Sequence, residues 1–170
     1  MADIIAPLNK MHDSLSEADA VSLVELLFFA YRDFVAGPDE ILEGLGFGRA
    51  HHRVLHFVGR SPGMTVAQLL DILRITKQSL SRVLKELIEK GYIIQKEGAE
   101  DRRQRLLYLS TSGDALWKKL ITPQLARFRD AIKHMGEADA ELYRDMLMQL
   151  ISPENRQAAE DWTDKAEKHE

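Results

Sequence analysis

The chain has 170 residues, 23 of them basic and 27 acidic, for a formal net charge of −4. That length suits one domain with extensions, and a composition 45% hydrophobic and 29% charged argues against global disorder. There is no cysteine, which excludes disulfides, thiolate metal sites, cysteine nucleophiles and thiol redox sensing.

The first residues carry Asp3 ahead of a short apolar stretch and no basic lead-in, so no secretory signal is expected and the reading is of a cytoplasmic protein. Ser14 and Glu17 have capping-box spacing, followed by a helix-period stripe of Val21, Val24, Leu27, Phe28, Tyr31 and Val35. Glu25, Arg32 and Asp33 interrupt it, so it falls short of the roughly 18 apolar residues of a membrane span. The pattern fades at Gly37-Pro38, where the helix is expected to end, and Gly44, Gly46 and Gly48 mark a loop.

A second helix is expected over Arg49–Arg60, with Val54, Leu55 and Val58 inward, stopping at Ser61-Pro62-Gly63. Thr65 and Gln68 repeat the capping-box spacing and open a short helix bearing Val66, Leu69, Leu70 and Leu73. After a tight turn at Arg74-Ile75, Thr76 can cap a helix to Lys90 whose inward face is Leu80, Val83, Leu84, Leu87 and Ile88. Gly91 stands at its expected end. The period then switches to strand-like in Tyr92–Lys96 and Leu106–Leu109, with a charged tip between, which predicts a β-hairpin as the chain's one strand pair. Helical periodicity returns from Ser110 to Met135, with Pro123 expected to kink it, and again around Leu142–Leu150; Ser152-Pro153-Glu154 reads as one more helix start. The tail beyond is polar, with Trp162 its large anchor.

Helix, tight turn, helix and charged hairpin, in that order, make a helix-turn-helix followed by a wing. Such a module lays its second helix in the major groove while the hairpin tip reaches the minor groove or backbone. The outward face of the Thr76–Lys90 helix fits that use, being polar at Thr76, Lys77, Gln78, Ser79, Ser81 and Arg82. Gln78 and Arg82 can bond base edges; Lys77 and Lys85 suit phosphates. Residues 74–105 hold nine basic and five acidic side chains, a net +4, so the remainder of the chain carries −8. A basic module on an acidic body is the footprint of a DNA reader.

The tip and following strand, Asp101-Arg102-Arg103-Gln104-Arg105-Leu106-Leu107-Tyr108-Leu109-Ser110 and then Thr111-Ser112-Gly113, resemble the wing signature of the MarR family of winged helix-turn-helix regulators. Ser110 stands where that signature usually has threonine, and both residues cap helices. Ile75–Arg82 and Leu87–Ile93 are similar to the family's recognition helix and its exit. The resemblance spans about 49–113 and implies a homodimeric, prokaryotic-type regulator, a repressor or less often an activator, on a palindromic double-stranded operator. It assigns Arg103 to the minor groove and Asp101 as the carboxylate that holds it, with Arg102 and Arg105 on phosphates or solvent. It also implies a small aromatic or phenolic effector, for which Tyr31, Phe34, His52, His56 and Trp117 are the candidate lining.

Apolar stripes on both sides of the module exceed what one chain can cover, so dimerisation is expected, with Ile4, Ile5, Leu8, Leu23, Leu27, Leu142, Met146 and Leu150 contributing to the interface or its supporting core. The expected division is 1–48 for an N-terminal dimerisation segment, 49–110 for the winged helix-turn-helix, and 111–170 for C-terminal dimerisation helices and a polar tail. The fold class is mainly α with a two-stranded β-wing. His52 and His56, one helical turn apart beside His51, lack a third ligand at obvious spacing, so no metal and no cofactor is expected. Phosphate-cradling glycine loops, zinc-protease His pairs and serine elbows are all missing, which argues against an enzyme. The reading that competes is a dimeric protein-interaction module of winged-helix fold that does not bind DNA.

Overall fold

A computed structural model describes residues 15–99 and 101–167. The expected interface residues Ile4, Ile5 and Leu8, and the expected capping residue Ser14, lie outside them. The chain divides into two compact units, one running to Ala36 and the other from Gly37 onward.

Helix α1 spans Glu17–Glu43. Among the described residues Ser16 caps it: the Ser16 hydroxyl accepts the Asp19 backbone N–H at 3.1 Å and donates to the Asp19 carboxylate at 2.6 Å. The three-residue spacing of Ser14 and Glu17 recurs here two positions later, so spacing alone does not choose between the two serines. In the first unit α1 leaves Val21, Val24, Leu27, Phe28 and Tyr31 exposed, while Val35 is buried. The helix does not end at Gly37-Pro38 as its pattern suggested; Pro38 sits inside it. An interior proline removes one backbone bond at a cost of about 3 kcal/mol. The full burial of Pro38 and Leu42 in the second unit offsets that loss. The fading of the stripe was still informative, because the boundary between the two units falls there.

In the second unit, a turn through Gly44 to Gly46, with Gly46 at φ +70°, leads into α2 (Arg49–Arg60). Strand β1 (Met64–Thr65) precedes α3 (Val66–Leu73), and α4 (Lys77–Glu89) follows. The hairpin is β2 (Ile93–Glu97) and β3 (Arg105–Leu109), then come α5 (Thr111–Met135), α6 (Glu137–Leu150) and α7 (Pro153–Glu167). Pro123 lies within α5 without ending it.

The hairpin is not the chain's one strand pair: β1 adds to it, giving an antiparallel sheet in the order β1-β3-β2, with Met64 opposite Leu107 and Thr65 opposite Leu106. A two-residue strand shows no alternation, and Thr65 was legible only as a helix cap. It serves both roles. Its hydroxyl accepts the Gln68 N–H at 3.2 Å, and the side-chain amide oxygen of Gln68 (Oε1) accepts the Thr65 N–H at 2.8 Å.

The core of the second unit gathers Leu42, Val54, Leu55, Val58, Leu69, Leu80, Leu87, Ile93, Leu107 and Leu120. The expected inward faces of α2 and α4 are therefore the buried ones, with Ile88 half-buried at the end of α4. Trp162 of α7 packs edge-on against Phe57 of α2, ring centres 5.2 Å apart. By contrast Leu125, Phe128, Ile132 and Met135 of α5, and Leu142, Tyr143, Met146, Leu147 and Leu150 of α6, remain exposed. No helix among the described residues is long and apolar enough to cross a membrane.

Candidate nucleic-acid interface

The turn between α3 and α4 is built from one strained residue and two side-chain ties. Arg74 adopts the left-handed conformation (φ 51°, ψ 40°), which side-chain-bearing residues rarely visit. Its guanidinium donates to Asn155 Oδ1 of α7 at 2.7 Å. Arg53 of α2 donates to the Leu73 carbonyl oxygen at 2.6 Å, which satisfies one of the acceptors that α3 leaves open at its end. Thr76 then caps α4, its hydroxyl accepting the Ser79 N–H at 3.1 Å.

With Leu80, Val83, Leu84 and Leu87 buried beneath, the helical period turns Thr76, Lys77, Gln78, Ser79, Ser81, Arg82 and Lys85 outward, and all seven are exposed. The Arg82 side chain is 83% exposed, and its Nε–H donates to Glu86 Oε1 at 3.0 Å. Lys85 pairs loosely with Glu89 at 3.7 Å. At the end of the helix, Lys90 folds back to donate to the Leu45 carbonyl oxygen at 2.6 Å, with its ammonium 4.4 Å from the centre of the Phe47 ring.

The wing tip closes through backbone bonds from Gln104 N–H to the Asp101 carbonyl oxygen, 3.0 Å, and from Gly98 N–H to the Gln104 carbonyl oxygen, 3.1 Å. A side chain at Gly98 would come within 2.7 Å of the Asp101 carbonyl oxygen, so the turn requires glycine there. Asp101 holds Arg103, but by its backbone: Asp101 Oδ1 accepts the Arg103 N–H at 2.9 Å. Arg105 stands opposite Glu97 in the ladder and donates to its carboxylate at 3.1 Å and to the Arg102 carbonyl oxygen at 3.2 Å. It braces the hairpin. Asp101, Arg102, Arg103 and Arg105 are all exposed.

The residues expected to line an effector cavity divide between the two units. Tyr31, exposed, and the half-buried Phe34 belong to the first. His52, His56 and Trp117 belong to the second, where burial depresses the basicity of both imidazoles. The Trp117 indole N–H is buried with no hydrogen-bond partner among the described residues. Among those residues, no three His, Asp or Glu side chains gather closely enough to hold a metal ion.

Two further residues belong with this surface: Glu86 on α4 and, buried beneath it on α2, His51. Glu86 lies four residues after Arg82, a spacing that signals a helical ion pair. Its bond to His51 Nε2, 2.8 Å across from α2, has no trace in the sequence.

A polar helix held outward by its leucine and valine underside, one tight turn after a shorter helix and followed by a basic-tipped hairpin, defines a winged helix-turn-helix protein. A family model described as "MarR family" matches residues 45–104. The chain is 40% identical over 156 residues to the HTH-type transcriptional regulator PetP of Rhodobacter capsulatus, covering 92% of this chain and 94% of that one. Among solved structures it is similar to Streptococcus pneumoniae FabT in complex with DNA (TM-score 0.69, 22% identity, 84% of this chain and 99% of that one). It is also similar to a mutant MarR from E. coli complexed with operator DNA (TM-score 0.59, 20% identity, 82% and 100%). The chain belongs to the MarR family of winged helix-turn-helix, DNA-binding transcriptional regulators.

Proposed function

We propose that the chain binds a palindromic operator as a homodimer and acts chiefly as a repressor, with α4 in the major groove and the Arg103 tip in the adjacent minor groove. The observation that carries this reading is the outward set Thr76, Lys77, Gln78, Ser79, Ser81, Arg82 and Lys85 on a helix whose opposite face is fully committed to the core. Gln78 and Arg82 supply groups for base edges, while Lys77, Lys85 and Arg102 supply phosphate contacts. Residues 49–110 do the reading. The segments 1–48 and 111–170 supply the dimer, supported by the exposed apolar residues Leu23, Leu27, Leu142, Met146 and Leu150. Two such modules would meet major grooves about 34 Å apart, one turn of duplex. The working compartment is the cytoplasm, and the role calls for no catalytic turnover.

The test is binding of the purified protein to duplex fragments selected from its source genome, followed by anisotropy across a salt series. Affinity that falls steeply as salt rises supports the reading, because neutralised phosphates release counterions. A dimer that ignores every duplex at low salt would leave only the protein-interaction alternative; a monomer would remove the palindrome.

A small aromatic or phenolic anion that loosens DNA binding is the effector we propose. His52, His56 and the unpartnered Trp117 indole support it from the second unit, whereas Tyr31 and Phe34 enter on the family resemblance alone. Titrating benzoate or hydroxybenzoate against the operator complex tests it, with release of DNA expected from the wild type and lost in Trp117→Phe.

A further inference from the structure

Arg82 sits at the end of a chain of three side chains that begins on a different helix. The ring of His51, on α2, is fixed from two sides: its Nδ1 accepts the Gly48 backbone N–H at 3.1 Å, and it stacks on Phe47 with centres 4.5 Å apart. Because Nδ1 accepts, the proton of the neutral ring must reside on Nε2. That N–H donates to Glu86 Oε2 at 2.8 Å, and Glu86 Oε1 receives the Arg82 Nε–H at 3.0 Å. Both carboxylate oxygens are thereby engaged, one toward each partner. The Glu86 carboxyl is held below its ordinary range by Arg82 first and His51 second, so it stays ionised.

An exposed Arg–Glu pair one helical turn apart is normally a loose contact that either side chain leaves freely. Here the carboxylate cannot swing away from Arg82 without also breaking its bond to a buried imidazole on α2. With Nε occupied, the two terminal amines of the guanidinium are the ones left to meet a partner. Bidentate reading of a base depends on that planar fork arriving in one orientation.

We infer that His51 and Glu86 are positioning residues for Arg82, a buttress from α2 that presents its guanidinium to DNA in a fixed pose and so sets sequence discrimination. This rests on the assignment of α4 as the recognition helix. A carboxylate on a DNA-facing surface also repels phosphates whatever the base sequence. Removing Glu86 should therefore do two opposite things, tightening indiscriminate binding and eroding preference.

The experiment uses the full chain and two duplexes, one selected from genomic fragments and one of the same composition with scrambled order. Wild type, Arg82→Ala, Glu86→Ala, the double variant, His51→Leu and His51→Gln are compared at one salt concentration. Circular dichroism confirms that each is folded. The ratio of affinities should fall about tenfold in Glu86→Ala while the scrambled duplex binds more tightly. In the Arg82→Ala background the Glu86 change should cost no further discrimination. His51→Leu should lose part of the ratio and His51→Gln, which keeps a donor toward Glu86, should restore it. An unchanged ratio in Glu86→Ala alongside a reduced one in Arg82→Ala overturns the buttress and leaves α4 as the reader. An unchanged ratio in Arg82→Ala overturns the base-reading role and the buttress together. Should His51→Leu fail to fold, the Glu86 and double variants decide the matter alone.

Discussion

Gly113, in the first turn of α5, lies directly against the carbonyl oxygen of Tyr92 at the foot of the wing, and a Cβ at that position would overlap the oxygen. Around this contact the Ser110 N–H donates to the same Tyr92 oxygen at 3.0 Å, and the Ser110 hydroxyl donates to the Gly91 carbonyl oxygen at 2.6 Å. The Ser110 hydroxyl also accepts the Gly113 N–H at 3.0 Å, so one residue both caps α5 and fastens it to the wing. Replacing Gly113 by Ala should destabilise the fold by about 2–3 kcal/mol, since backbone on both sides must shift. Urea unfolding measures it, and a variant as stable as the parent would mean that this junction is loose.

Capping offers a second measurement, because two threonines make the same bond at different distances from the proposed DNA surface. Thr65→Ala and Thr76→Ala should each cost about 1 kcal/mol of stability. Only Thr76→Ala should also weaken operator binding, since Thr76 opens α4. Equal effects of both on DNA affinity would speak against α4 as the reader.

At the wing, Arg103 and Arg105 should separate. Arg103→Ala is expected to weaken operator binding by about 1–3 kcal/mol without changing sedimentation as a dimer. Arg105→Ala removes the bonds to Glu97 and the Arg102 carbonyl oxygen, so its effect on affinity should come through a loosened tip. Amide exchange at Gly98 and Gln104 should then quicken in Arg105→Ala and stay unchanged in Arg103→Ala.

Burial first, then the neighbouring His52 and Arg60, push the His56 imidazole down to about 4. The unfolded chain, with an ordinary imidazole, takes up a proton from pH 6.5 downward that the folded chain refuses until about 4. The stability that depends on neutral His56 is therefore fully present above pH 6.5 and drains away as pH falls to 4, by up to roughly 3 kcal/mol. His52 shifts in the same direction, burial lowering it against the opposing pull of Asp39. His56→Asn should flatten this acid limb in denaturant titrations at stepped pH. A wild-type profile level between pH 6.5 and 4 contradicts the assignment.

Much of this molecule could be read from its residues in order, because the signals were local. Thr65 with Gln68, Thr76 before its polar face, Gly91 at φ +75° and the charged tip between two β-prone runs each act within a few positions of themselves. What escaped depends on partners distant in sequence. Strand β1 exists because Met64 and Thr65 find Leu107 and Leu106, and α1 continues through Pro38 because the core accepts that proline. In the candidate site, the face of α4 was legible from its period, whereas Glu86 gains its meaning from a histidine 35 residues away. Arg105, expected on phosphates or solvent, also meets a cross-strand partner that only the hairpin register reveals.

Strand β1 ties the wing to the helix-turn-helix, since the short strand that pairs with the hairpin runs straight into α3. A twist of the hairpin therefore has a direct covalent and hydrogen-bonded route to the first turn of α3, through Met64 and Thr65.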